Sequence, residues 1–222
     1  MAANLITLGR ILMAFGVILM FHGNFFWCAA AAVLTLVVIY LDSLDGIVAR
    51  RRGTTSEFGA LFDITGDRIV EHIYWIFFAT AGLVSLWVPI IFLSRSFLVD
   101  TLRAVAFSKA GKTPFGEKSM MRAGVTRFLT ASRFSRGVYG AGKVIAFILL
   151  GTLLTISKAP QNVLEMLPAT FPTLLTSITN ALVWIVVAMN LIRGVPVLID
   201  GRGYLFEKQT VEVANNENLG RI

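Results

Sequence analysis

Apolar runs long enough to cross a bilayer recur six times along this chain, and that recurrence limits its fold more than any other feature. A helix needs about 20 residues to traverse a hydrocarbon core about 30 Å thick. Runs of that order occupy approximately residues 5–21, 24–44, 64–83, 85–107, 138–157 and 171–198. Of 222 residues, 56% are hydrophobic and 15% charged, and the mean hydropathy is +0.74. Those values exclude a disordered tail and an ordinary soluble domain. The expected fold is all-α: a polytopic membrane protein with six transmembrane helices. No basic segment precedes the first run, so a cleaved signal peptide is not expected.

The charges that remain are sorted by side. His22, Gly23 and Asn24 make a short turn after the first run, and residues 157–172, with three prolines, connect the last two. Basic residues gather around Arg50, Arg51 and Arg52 and again over residues 103–143, which include Lys109, Lys112, Lys118, Arg122 and Arg127. The opposite connections carry one cation, Lys158. By the positive-inside rule both basic loops and both termini face the cytoplasm, and the protein is expected in the cytoplasmic (inner) membrane. The net charge of +7 thus reads as a topology signal, and nucleic acid is not expected as a partner. Residues 1–206 are expected to form the membrane domain, and 207–222 a polar tail. "AGKTP" at 110–114 echoes the end of a phosphate-binding loop, but Ala106 stands at the upstream glycine position and no strand precedes it.

Against this background the stretch "LDSLDGIVARRRGTTSEFGALFDITGDR", residues 41–68, stands out for four aspartates. Residues three or four apart share a helix face. Asp42, Asp45 and Ala49 therefore line one face at the cytoplasmic end of the second span, with Gly46 and Arg50 beside them. Gly53 breaks that helix, and Thr54-Thr55-Ser56-Glu57 reads as a capping box that opens the third span. Gly59, Asp63 and Asp67 then recur every fourth residue. A short turn makes the two helices antiparallel neighbours, so their acidic faces can meet at the cytoplasmic ends of helices 2 and 3, where the active site is expected.

Four carboxylates in a partly dry site raise one another's pKa and need a cation. A single cysteine, Cys28, and two histidines, His22 and His72, leave little for zinc or a di-iron centre. Oxygen-only ligands favour Mg²⁺ or Mn²⁺, ions that commonly keep phosphate oxygens in their remaining positions. The arginines suit phosphate. Gly46, Ala49 and Gly59 leave room for a flat group such as a nucleobase. Taken alone, each feature has a plainer reading: an intramembrane aspartate as a packing or ion-pathway residue, the arginines as topology signals, the small residues as helix contacts. Each becomes informative because it answers a need created by another.

At these positions the sequence resembles the CDP-alcohol phosphotransferase family, whose motif is Asp-x-x-Asp-Gly-x-x-Ala-Arg, eight residues, then Gly-x-x-x-Asp-x-x-x-Asp. It stands complete here as Asp42, Asp45, Gly46, Ala49, Arg50, Gly59, Asp63 and Asp67. The resemblance implies two divalent ions, Mg²⁺ or Mn²⁺, held by Asp42, Asp45, Asp63 and Asp67 against the diphosphate of a CDP-linked lipid such as CDP-diacylglycerol. It implies Asp67 as the base toward a small polar alcohol, with Gly46, Ala49, Arg50 and Gly59 against the cytidine and its phosphates. CMP would be released. A homodimer surrounded by membrane lipids is also implied.

For the acceptor, "NLITLGR" at 4–10, "RSFLVDTLR" at 95–103 and "GAGK" at 140–143 resemble the phosphatidylglycerophosphate synthase branch, whose acceptor is glycerol 3-phosphate. Ser96, Ile64 and Arg68 depart from that branch, and Arg68 directly after Asp67 looks more like the inositol-phosphate branch. Arg95, Arg103 and Lys143, or Arg133 and Arg136, are candidate contacts to a phosphorylated acceptor, glycerol 3-phosphate being favoured and inositol phosphate the alternative. The plainer role for any one of these cations is contact with anionic headgroups. An ion transporter is the rival class, but it would place its acids near mid-bilayer in repeated halves.

Overall fold

The computed structural model describes residues 2–52, 57–110 and 132–206. Gly53, the capping-box residues Thr54 to Ser56, "GKTP" with the basic segment through residue 131, and the polar tail 207–222 lie outside the described residues. So do the side chains of Asp42, Asp45, Gly46, Ala49, Arg50 and Arg133.

The described residues form helices joined by turns, with no strand among them: α1 Ala2–Met20, α2 Phe25–Arg52, α3 Glu57–Thr80, α4 Trp87–Ala110, α5 Arg133–Ser157, α6 Gln161–Leu164 and α7 Phe171–Phe206. The second helix runs about two turns past its apolar run, because helical geometry needs no apolar side chain. By length and apolarity, Phe134–Ser157 in α5 and Phe171–Ile199 in α7 can cross a membrane, and shorter apolar segments cover Asn4–Met20 and Phe25–Leu41. Exposed faces are themselves apolar: Leu5, Leu12, Phe15 and Leu19 on α1, and Ile178, Ile185, Ile192 and Ile199 on α7. Apolar side chains turned outward at helical spacing suit hydrocarbon, not water.

Two compact units make up the chain. The first comprises Met1–Ser96 with Arg136–Leu191, the second Phe97–Ser135 with Ile192–Ile222. In the first, α1 packs on both α2 and α3. Its core is aromatic: Tyr74 stacks on Phe147 with centroids 5.1 Å apart, Phe21 stacks on Phe77 at 5.4 Å, and Trp75 lies 4.8 Å from Phe92. The Tyr74 hydroxyl donates to Thr35 Oγ1 at 3.2 Å, which satisfies a polar group that would otherwise be costly in an apolar core. At the end of α3, Gly82 takes φ +75°. Its N–H bonds to Ala79 O and that of Leu83 to Phe78 O, both at 3.0 Å. This is a Schellman stop, which needs a left-handed residue where a Cβ would be strained. At the α1–α2 turn, Lys158 Nζ donates to the carbonyls of Phe21 at 2.7 Å and Gly23 at 3.0 Å. That ammonium helps to satisfy two carbonyls of the turn that follows α1.

The second unit has a small core of Val99, Leu102 and Val197. Within it Arg103 pairs with Asp100 at 3.3 Å, and Arg193 donates to the Ser135 hydroxyl.

Candidate active site

The site is built on α3. Its four-residue period carries Gly59, Asp63 and Asp67 along one face and continues to Glu71 and Trp75. Asp63 and Asp67 are half-exposed, at 42% and 45%. Both side chains therefore reach the surface.

What holds them is on α1. Gly66 stands where a Cβ would lie only 2.7 Å from the Thr7 methyl and 3.2 Å from Arg10 Nη2. Glycine thus lets α1 approach α3 closely enough for a side chain of α1 to reach the acids. Arg10 does so: its Nη2 donates to Asp67 Oδ1 at 2.7 Å and lies 3.7 Å from Asp63 Oδ1. Only 2% of the Arg10 side chain is exposed. A guanidinium so buried is stable only against negative charge, and a charge-assisted hydrogen bond of this length is a strong one. The protein thus supplies one of the cations that the acidic pattern calls for.

One turn further along α3, Glu71 is buried, with 8% of its side chain exposed. Lys143 Nζ of α5 sits 3.0 Å from Glu71 Oε1, and Arg68 Nη1 3.4 Å from Oε2. Lys143 also lies over the Tyr139 ring, 4.7 Å from its centroid. The Tyr139 hydroxyl donates to Asn190 Oδ1 on α7 at 2.9 Å. This chain of contacts joins α3, α5 and α7 beneath the aspartates.

Among the residues singled out from sequence, Asp63 and Asp67 are together on one face, and Gly59 lies one turn before them. Asp42, Asp45, Gly46, Ala49 and Arg50 fall within α2, their side chains outside the described set. Of the acceptor candidates, Lys143 is engaged by Glu71, Arg95 is buried on α4, and Arg136 is exposed on α5. Arg103 belongs to the second unit and pairs with Asp100, and Arg133 opens α5. Two charged residues beside this face, Arg10 and Glu71, are not among those singled out from sequence. Arg10 had a signal, a lone arginine inside an apolar run, which membrane energetics makes costly unless it is paired. Glu71 continues the aspartate period by one more step.

The donors of Asp63 and Asp67 are all oxygen and half open, which fits Mg²⁺ or Mn²⁺ better than a softer ion. Among the described residues no group of three or more His, Cys, Asp or Glu forms a complete cage. Any fuller ligand set would have to draw on residues such as Asp42 and Asp45.

Known proteins point in the same direction. Over 76 residues the chain is 36% identical to the archaetidylinositol phosphate synthase of Pyrococcus horikoshii, a match covering 34% of this chain and 40% of that relative. The chain thus spans about two-fifths of the length of this curated relative. The family model described as CDP-alcohol phosphatidyltransferase matches residues 1–192, which take in Arg10, the whole aspartate motif and Lys143. The chain belongs to the CDP-alcohol phosphatidyltransferase family.

Proposed function

We propose that this member of a phosphatidyl-transferring family moves a phosphatidyl-type group from a CDP-linked lipid to the hydroxyl of a small phosphorylated alcohol, with release of CMP. The observation that carries the reading is the pair Asp63 and Asp67, half-exposed on one face of α3 and compensated in part by Arg10, within a family match over residues 1–192. Asp42, Asp45, Asp63 and Asp67 would hold two divalent ions. Bound there, such ions supply positive charge to the attacking and leaving oxygens of a phosphoryl displacement. Asp67 accepts the proton of the acceptor hydroxyl. The acceptor oxygen bonds to the lipid-side phosphorus as the bond from that phosphorus to the CMP oxygen breaks. Gly46, Ala49, Arg50 and Gly59 would lie against the cytidine and its phosphates. Six spans with both termini cytoplasmic, in the inner membrane and as a homodimer, complete the proposal.

Two acceptors remain in play within this reading. The branch-like segments at 4–10, 95–103 and 140–143 favour glycerol 3-phosphate. Arg68 and the match to an archaetidylinositol phosphate synthase favour inositol phosphate. The test is CMP release by purified protein given CDP-diacylglycerol, Mn²⁺ or Mg²⁺, and glycerol 3-phosphate, inositol phosphate, inositol or serine in parallel. Turnover with one phosphorylated acceptor assigns the substrate. No CMP with any acceptor, alongside ion flux in proteoliposomes, would replace the enzyme with the transporter reading.

A further inference from the structure

We infer that Arg10 is a positioning residue of the aspartate site, a built-in cation that orients Asp67 and limits how tightly the acids hold a divalent ion. The inference rests on reading Asp63 and Asp67 as ion ligands. Three observations carry it. The Arg10 guanidinium is 2% exposed, it donates to Asp67 Oδ1 at 2.7 Å, and it lies 3.7 Å from Asp63 Oδ1. Its placement is set by packing, because Gly66 is the position on α3 that lets Thr7 and Arg10 come so near.

Two consequences follow from charge and geometry. Arg10 engages one oxygen of Asp67 and so restricts rotation of the carboxylate, leaving Oδ2 for an ion or an acceptor hydroxyl. A hydrogen bond that fixes a reacting carboxylate in place lowers the cost of reaching the reactive arrangement. The same guanidinium halves the negative charge that the two acids present, and its burial limits screening by salt. A divalent ion must therefore bind beside a resident positive charge. Without that charge the acids would hold the ion more tightly while Asp67 turned more freely. Affinity for the ion and turnover should then move in opposite directions, which simple loss of structure would not produce.

The test uses full-length protein in detergent, with Mn²⁺ alone as the probe and the free-ion electron paramagnetic resonance signal as the readout, beside CMP release. Arg10→Gln is expected to bind Mn²⁺ at least about threefold tighter while kcat falls about tenfold or more. Arg10→Lys keeps the charge but lacks the planar fork. It should return Mn²⁺ affinity to near the wild-type value and restore kcat only in part. Thermal unfolding of each variant establishes that it is folded, and the lysine variant carries the test of charge if the neutral one is unstable. Unchanged or weaker Mn²⁺ binding by folded Arg10→Gln, with wild-type binding intact, overturns the inference alone. Wild-type protein that binds no Mn²⁺ overturns the ion-ligand reading and the inference together.

Discussion

Two acidic groups on α3, one helical turn apart, meet their counter-charges in opposite ways. Asp63 and Asp67 are half-exposed and lie against a buried arginine from α1. Glu71 is itself buried and is held by two cations, Lys143 and Arg68, that are 20% and 26% exposed. In the first group the cation is sequestered and the acids are open. In the second the acid is sequestered and the cations reach outward. Carboxylates that reach the surface can meet a ligand, whereas a buried carboxylate held between two cations is committed to the fold. The same residue chemistry, at the same spacing on one helix, therefore divides into a site and its support.

This contrast can be broken by substitution. Asp67→Asn should show the largest effect, cutting CMP release by roughly 100-fold or more while the unfolding temperature stays close to wild type. Normal turnover would remove Asp67 from its role as the base. Glu71→Gln should do the reverse. It strands Lys143 and Arg68 beside a neutral amide and should lower stability by about 2 kcal/mol in denaturant unfolding, with Mn²⁺ affinity held. A Glu71→Gln change that left stability intact but abolished Mn²⁺ binding would erase the distinction between the two groups. The double variant Glu71→Gln, Lys143→Met should be less destabilised than the sum of its parts, with a coupling of about 1 kcal/mol. Additive losses would mean that the 3.0 Å pair is energetically idle. Arg68→Ala should have the smallest effect, about 0.5 kcal/mol, because its contact is longer and partly exposed.

How much of this was legible in sequence depends on the range of the interactions. The helices follow from apolar runs, and the Gly59, Asp63, Asp67 face follows from a four-residue period, both of which are local. The stop at Gly82 is local as well. The pairing of Arg10 with Asp67 is not, since 57 residues separate them and the contact exists only because Gly66 lets two helices approach. The sequence argument required a cation for the acids and looked for it among metal ions. Arg10 supplies part of that charge, so charge balance by itself is a weaker argument for metal than the all-oxygen, half-open donor set. Lys143 shows the same limit. A lysine near the cytoplasmic end of a span suits an anionic acceptor, yet Glu71, 72 positions earlier in the chain, is what it touches. Pattern shows where charge lies, and packing decides which charge it meets.

The ammonium of Lys158 pins α1 at the end remote from Arg10, through the carbonyls of Phe21 and Gly23. At 1.5 Å per residue, that pin lies about 16 Å along the axis from Arg10. With Arg10 bonded to Asp67 nearer its other end, the first helix is moored at two points rather than one.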